Sequence, residues 1–183
     1  MKSKMERSDM ISSRSGYGAH SFLNEYIGKN KCKRIMEIGV ADGKNAKAMV
    51  MVAIRNFSPA EVHYYGFDLF EGNRIDQVRQ KLEETGCKFE LFKGDSIEIL
   101  PKVVRILPKM DLIFIDGGHS YETVKSDWEN SSSLMHNETS VFFHNYTFLG
   151  VKKVVDNISR EEYQVKIIHA PSDYDTALVR KKI

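Results

Sequence analysis

The chain has 183 residues, of which 42% are hydrophobic and 28% are charged, and its formal net charge at pH 7 is +2. This length fits one domain with a single core, and the near balance of charge gives no basis for nucleic-acid binding, which would need a basic stripe. No segment has the length of a membrane span, and the charged N-terminus lacks the apolar core of a secretory signal. We therefore expect a cytoplasmic protein with no membrane or nucleic-acid partner.

The N-terminus differs in composition from the rest of the chain. Residues 1–16 are rich in Lys, Arg and Ser, which predicts a flexible arm, and residues 17–183 are predicted to form a single domain. Apolar residues recur at helical spacing from His20 to Ile27, and Gly28 follows as a stop signal. The domain is therefore expected to begin with a short helix.

Strand and helix signals then alternate along the chain. The predicted strands are 34–38, 62–67, 88–92, 110–115, 139–144, 163–168 and 176–180. The predicted helices are 45–55, 74–84, 96–104, one beginning near 121 and one beginning near 150. Repeated strand-helix-strand units require parallel pairing with right-handed crossovers. The predicted fold class is α/β, a doubly wound, Rossmann-like, mostly parallel sheet of seven strands with helices on both faces.

A glycine-containing loop, Glu37-Ile38-Gly39-Val40-Ala41-Asp42-Gly43, spans the end of the first predicted strand and the start of the next helix. Gly39 and Gly43 let the backbone turn sharply and approach a ligand. A dinucleotide fingerprint would carry a third glycine, and a carboxylate at Asp42 would repel a pyrophosphate. The loop therefore favours a ligand that lacks phosphates and carries positive charge, and it disfavours a nicotinamide-dependent oxidoreductase.

Acidic residues also follow the second and third predicted strands, at Asp68 and in Gly94-Asp95-Ser96. A carboxylate can accept hydrogen bonds from both hydroxyls of a ribose, and Asp95 with Ser96 could bind an adenine edge. Each signal alone is weak, because an acidic residue after a strand often caps a turn or a helix. Together, the glycine loop and the acidic residues at the ends of three consecutive predicted strands predict a nucleoside pocket.

On these residues the sequence resembles the class I S-adenosylmethionine-dependent methyltransferases, from about Lys33 to the C-terminus. The resemblance implies that the cofactor is held by Glu37, Gly39, Val40, Gly43, Asp68, Asp95 and Ser96. In that family the glycine loop cradles the methionine part of the cofactor. The acidic residue that ends the second strand, here Asp68, holds the ribose, and the acidic residue after the third strand, here Asp95, approaches the adenine. S-adenosylmethionine has a sulfonium, an ammonium group and no phosphate, which agrees with the charge of the loop.

The fourth predicted strand ends in Asp116-Gly117-Gly118-His119-Ser120-Tyr121, where an apolar run stops at a carboxylate and an imidazole. With Val124 and Asp127, this segment matches the pattern Asp-Gly-x-His-x-Tyr-x-x-Val-x-x-Asp. It resembles a branch of small-molecule O-methyltransferases that includes sugar-modifying enzymes of antibiotic pathways. The resemblance implies that His119 is the general base and that Asp116 binds Mg²⁺ or orients the acceptor. Asp127 itself is expected to be solvated or to orient its helix.

The fifth predicted strand departs from that branch, because His144 and Asn145 stand where a second acidic pair is usual. Mg²⁺ prefers oxygen ligands, and Asn145 supplies one, as in the catechol methyltransferases, which the chain resembles here. His144 supplies nitrogen, which suits Mn²⁺, Fe²⁺ or Zn²⁺ better. A divalent metal, Mg²⁺ or Mn²⁺, bound by Asp116, His144 and Asn145 is therefore left open.

The sequence favours a methyltransferase that O-methylates a small hydroxylated molecule with His119 as general base. Methyl transfer is an in-line displacement that depends on alignment of the two substrates and on a base that removes the hydroxyl proton. One alternative is a catalytically inactive S-adenosylmethionine-binding module of the same fold, which His144 and Asn145 keep open. A less favoured alternative is the oxidoreductase. The identity of the acceptor and the existence of a homodimer stay open.

Overall fold

The computed structural model describes residues 20–170 and 173–183, so the predicted arm over residues 1–16 lies outside the described residues. In this part of the chain, seven strands form one sheet: β1 (Arg34–Ile38), β2 (His63–Asp68), β3 (Lys88–Lys93), β4 (Met110–Ile115), β5 (Met135–Phe143), β6 (Tyr163–Ile168) and β7 (Thr176–Lys181). Six α-helices accompany them: α1 (Ser21–Asn30), α2 (Lys44–Ala53), α3 (Arg74–Glu83), α4 (Ser96–Val103), α5 (Tyr121–Ser132) and α6 (Leu149–Asn157). None of these helices is both long and apolar enough to cross a membrane.

The strands lie in the order β3-β2-β1-β4-β5-β7-β6. The first five in this order are parallel, whereas β7 pairs antiparallel with both β5 and β6. The strands β2 and β3 lie on one side of β1, and β4 lies on the other side, so the direction in which strands are added reverses at β1. In open α/β sheets, ligands bind at such a switch point. The predicted doubly wound, mostly parallel, seven-stranded fold is therefore confirmed.

Helices cover both faces of the sheet because successive side chains of a buried strand point to opposite sides. On β4, Ile113 packs into the layer beneath α4, α5 and α6, and Phe114 packs into the layer beneath α1, α2 and α3. Both side chains are fully buried, and burial of one such side chain contributes about 1.5–3 kcal/mol. These two layers fix the strand ends from which the site is built.

The start of β5 differs from the prediction. The strand begins at Met135, whereas the apolar pattern predicts a start at Thr139. Three polar residues, 136–138, separate Met135 from the apolar run, so the apolar pattern does not include Met135 in the strand. In the sheet, Met135 pairs with Met110, and the register then shifts before Leu112 pairs with Ser140.

Candidate active site

A cavity of about 780 Å³ opens at the carboxyl ends of the parallel strands. All but one of the site residues predicted from the sequence line it: Glu37, Gly39, Val40, Asp68, Asp95, Ser96, Asp116, His119, His144 and Asn145. The exception is Gly43, which precedes α2 with a φ of +76° and packs against Val78 of α3. The nucleoside half and the reacting half of the predicted site thus face one space.

The loop after β1 touches the end of β4. Gly39 has a φ of +91°, and a Cβ at this position would lie 2.1 Å from the backbone oxygen of Asp116. The backbone N–H of Asp116 donates to the oxygen of Ile38 at 2.8 Å. A side chain cannot fit between these two backbones, so glycine is required here for close approach as well as for conformation.

Asp68 shapes the same loop. Its Oδ2 accepts hydrogen bonds at 2.9 Å from the backbone N–H groups of Val40 and Ala41, and its Oδ1 accepts one at 2.7 Å from Phe70. A carboxylate offers about four acceptor positions, so one stays free for a ligand while these bonds are kept. The sequence indicates a ribose-binding residue here but gives no sign of this second role.

Glu37 lies beneath the loop and is fully buried. Asn45 donates to its Oε1 at 2.7 Å, and the hydroxyl of Tyr64 donates to its Oε2. Burial raises the pKa of Glu37 to about 8, although these two hydrogen bonds oppose that effect. No local pattern in the sequence marks Asn45 or Tyr64 as a site residue, because Asn45 is an ordinary residue in the first turn of a helix and Tyr64 follows the pattern of a core strand.

Two further acidic residues lie near the start of α4. Asp95 lines the cavity and also caps α4, since it accepts a hydrogen bond at 3.1 Å from the backbone N–H of Ile97. Asp127 of α5 is fully buried, so the expectation that it is solvated is wrong. Burial raises the pKa of Asp127 to about 6.

The reacting half of the site is built by the ends of β4 and β5. Nε2 of His119 lies 3.0 Å from Oδ1 of Asn145, and the His119 ring packs at 4.7 Å from the ring of Phe148. Because an amide oxygen only accepts, this bond places the imidazole hydrogen on Nε2 and leaves Nδ1 as the basic nitrogen. The carbonyl oxygen of Asn145 is thus engaged with His119.

Two residues outside the sequence motifs join this half. Nδ1 of His144 lies 2.9 Å from Oδ1 of Asp116, and its Nε2 lies 3.0 Å from Oδ1 of Asp173. Nδ1 of His20, which precedes α1, lies 2.5 Å from Oδ2 of Asp173. We call these four residues, His20, Asp116, His144 and Asp173, the His-Asp cluster. No local pattern in the sequence indicates that His20 and Asp173 belong to the site, because they are 153 positions apart.

The pKa values of three residues of the His-Asp cluster are shifted in different directions. Burial lowers the pKa of His20, and Asp173 only partly opposes this. Burial would also lower the pKa of His144, but its bond to Asp116 and the charges of both carboxylates raise it overall. Burial acts to raise the pKa of Asp173, but the hydrogen bonds from His20 and from the backbone of Tyr174, together with the charges of His144 and His20, outweigh burial and lower the pKa overall.

A family model described as a methyltransferase domain matches residues 36–146, which is more than half of the chain. The chain belongs to this methyltransferase family. The matched segment runs from β1 to the residue after Asn145, so every site residue predicted from the sequence falls within it. His20 and Asp173 lie outside the match.

Solved structures share the fold of this methyltransferase at low sequence identity. An O-methyltransferase from Bacillus cereus in complex with SAH has a TM-score of 0.76 at 14% identity, covering 96% of this chain and 87% of the other. The O-methyltransferase TomG from Streptomyces achromogenes, involved in tomaymycin synthesis and solved with SAM, has a TM-score of 0.76 at 16% identity, covering 96% and 89%.

A third structure is the apo form of CalS11, a TDP-rhamnose 3'-O-methyltransferase of calicheamicin biosynthesis. It has a TM-score of 0.71 at 17% identity, covering 97% of this chain and 80% of the other. A comparison with curated proteins finds no match. At these identities the structures establish the shared fold of the methyltransferase domain.

Proposed function

We propose that this methyltransferase transfers the methyl group of S-adenosylmethionine to a hydroxyl oxygen of a small molecule. The observation that carries the proposal is that one cavity is lined both by a glycine loop suited to a ligand without phosphates and by His119, which follows β4. O-methyltransferases with SAM or SAH bound share the fold over nearly the whole chain. Glu37, Asp68 and Asp95 offer carboxyl groups for the ammonium, ribose and adenine parts of the cofactor.

In this reaction the acceptor oxygen attacks the methyl carbon, the carbon–sulfur bond breaks, and the hydroxyl proton leaves to a base. The products are S-adenosylhomocysteine and a methyl ether. His119 is the proposed base, because its bond to Asn145 leaves Nδ1 free to take the proton. Alignment of two bound substrates can supply about 7–11 kcal/mol of the barrier, and a positioned base typically adds ~10²–10⁴-fold.

The first test is calorimetric titration of the protein with S-adenosylmethionine and, in parallel, with NAD. We expect S-adenosylmethionine to bind at one site and NAD to bind far more weakly. Asp68→Ala should weaken cofactor binding, because the variant loses both a ribose acceptor and the bonds that hold the loop. Tighter binding of NAD would reject the proposal in favour of an oxidoreductase.

The second test is turnover. Formation of S-adenosylhomocysteine is followed with a panel of hydroxylated acceptors that includes phenols, catechols and nucleotide-linked sugars. We expect turnover with at least one acceptor class. Cofactor binding without turnover across the panel would favour the inactive binding module.

A further inference from the structure

The His-Asp cluster gathers two imidazoles and two carboxylates from four separate segments of the chain. His20 precedes α1, Asp116 follows β4, His144 follows β5, and Asp173 precedes β7. Both imidazoles are buried, with His20 at 5% and His144 at 2% exposure. Three of the four, His20, Asp116 and His144, also line the cavity. The cluster therefore combines buried nitrogen ligands with access to the space in which the acceptor is proposed to bind.

The hydrogen bonds divide the four imidazole nitrogens into two sets. The two oxygens of Asp173 engage one nitrogen from each ring, Nδ1 of His20 and Nε2 of His144. The remaining nitrogens face Asp116, with Nδ1 of His144 at 2.9 Å from Oδ1 and Nε2 of His20 at 4.0 Å from Oδ2. One ligand atom from each of His20, Asp116 and His144 can be chosen so that all lie within 4.8 Å of one another.

This arrangement is that of a metal site with its supporting residue. A metal-bound histidine usually donates its second ring N–H to a carboxylate, which fixes the tautomer and the ring orientation. Asp173 does this for two rings at once. Metal–nitrogen and metal–carboxylate bonds are about 2.0–2.2 Å long, so ligand atoms within 4.8 Å of one another could share one ion after small adjustments of the side chains.

We propose that Nε2 of His20, Nδ1 of His144 and the Asp116 carboxylate bind a first-row transition-metal dication, with Asp173 positioning both histidines. Two nitrogen ligands suit Zn²⁺, Fe²⁺ or Mn²⁺ and fit Mg²⁺ poorly. Asn145 is not a ligand in this proposal, because its side-chain oxygen faces Nε2 of His119 at 3.0 Å. The set therefore replaces the one predicted from the sequence, in which Asn145 stood in the place of His20.

Three protein ligands leave coordination positions open for water or substrate. Part of this inference rests on the proposed function: in methyl transfer, the ion would bind the acceptor oxygen and lower the pKa of its hydroxyl. Binding of the ion itself needs only the four side chains. Metal binding and cofactor binding can therefore be measured separately.

The experiment titrates metal-free protein calorimetrically with ZnCl₂ and, in a separate run, with MgCl₂. We expect one Zn²⁺ per chain, bound at least about 100-fold more tightly than Mg²⁺. X-ray absorption at the zinc edge of the wild-type complex should show two imidazole ligands, a result that depends on no variant. A wild-type protein that binds no stoichiometric Zn²⁺, or shows no imidazole ligand, overturns the proposal.

Variants then assign the ligands. His20→Ala should weaken Zn²⁺ binding by more than about 100-fold, and Asp173→Asn by about 10–100-fold, the usual loss for a supporting residue. His136→Ala is the matched control, because His136 forms the same kind of pair, 3.0 Å from Asp111, at the opposite end of the sheet. It should bind Zn²⁺ like the wild type. Equal affinity in His20→Ala and the wild type overturns the ligand set.

Titration of the same samples with S-adenosylmethionine separates the two proposals. Cofactor binding without zinc binding rejects the metal site and leaves the proposed function in place. Zinc binding without cofactor binding rejects the proposed function and leaves the metal site. Thermal melts of the variants establish that each is folded before its affinity is compared.

Discussion

At the scale of single residues, we expect binding of the cofactor to change the protonation of Glu37. Its pKa of about 8 in the free protein means that the carboxyl is mostly protonated at pH 7. The ammonium group of S-adenosylmethionine would favour the ionised form and lower this pKa. We therefore expect cofactor binding at pH 7 to release nearly one proton, and cofactor affinity to rise as the pH increases toward 8.

Calorimetry in phosphate and in Tris buffer measures this proton release, because the two buffers differ in ionisation enthalpy. Glu37→Gln is the control, since glutamine can keep bonds to both Asn45 and Tyr64 but cannot ionise. Its binding enthalpy should be the same in both buffers. Equal enthalpies for the wild type would contradict the coupling.

A second residue-scale prediction concerns His119. His119→Ala should lower kcat by ~10²-fold or more and leave the affinity for S-adenosylmethionine nearly unchanged, because the side chain contacts Asn145 and Phe148 on the acceptor side. Single-turnover rates and cofactor titrations measure the two effects. An unchanged rate would make His119 a structural residue.

The site residues that the sequence indicates differ in one physical respect from those that it does not indicate. Asp116 and His119 stand together in a short motif at the end of an apolar strand, so local sequence places them. His20 lines the cavity, and Asp173 bonds to His20 and His144 beside it, only because α1 and the segment before β7 come together at the same strand ends. That proximity is a property of the tertiary structure and leaves no pattern in either segment.

At the scale of elements, two glycines predict opposite outcomes of the same substitution. Gly39→Ala should destabilise the protein by about 3 kcal/mol, because the new Cβ would clash with the end of β4 and the positive φ disfavours alanine. Gly28→Ala, inside α1, should stabilise it by up to about 1 kcal/mol, since its Cβ would make an ordinary contact at 3.4 Å with Val52. Urea denaturation measures both changes in stability. A Gly39→Ala variant as stable as the wild type would contradict the clash between the new Cβ and the backbone of Asp116.

Local signals predict the start of α5 better than the end of α1, which continues past the predicted stop at Gly28 to Asn30, and better than the beginning of β5. The helix α5 begins at Tyr121, where the sequence predicts a helix start, and Ser120 caps it by accepting a hydrogen bond at 3.1 Å from the backbone N–H of Thr123. A cap depends on residues three positions apart, so the sequence contains the whole interaction. The first residue of β5 pairs across a register shift with β4, and a pattern within one segment cannot show its partner.

At the scale of the whole molecule, two buried carboxyls make stability depend on pH. The pKa values of Glu37 and Asp127 are raised to about 8 and about 6, from ordinary values of 4.5 and 3.8. The folded state therefore binds more protons than the unfolded state between these limits, and the contribution of both groups is lost as the pH rises from about 4 to 8. The free energy of unfolding should fall over this range.

The double variant Glu37→Gln/Asp127→Asn isolates this effect from the other titrating groups. Its free energy of unfolding should exceed that of the wild type by a few kcal/mol at pH 8.5, and the difference should shrink toward pH 4.5. Urea denaturation at both pH values measures it. A difference that does not change with pH would show that neither carboxyl is held protonated.

The alternation of strand and helix signals predicts the parallel part of the fold because each crossover helix separates two strands of one direction. It does not predict that β7 inserts between β5 and β6 in the opposite direction. Strand signals report burial and length, and they are the same for either direction. The order of strands at this edge is set by pairing between distant segments.

The hydrogen bonds from the Val40 and Ala41 backbone to Asp68 also bear on the thermodynamics of binding. The protein's own chain holds the loop in shape before any ligand arrives. The conformational entropy of this loop is therefore lost when the protein folds, and it does not have to be lost again when the cofactor binds. A loop organised in this way should give cofactor binding a smaller entropic penalty, so part of the affinity lost in Asp68→Ala should come from the freed loop and not from the lost contact to the ribose.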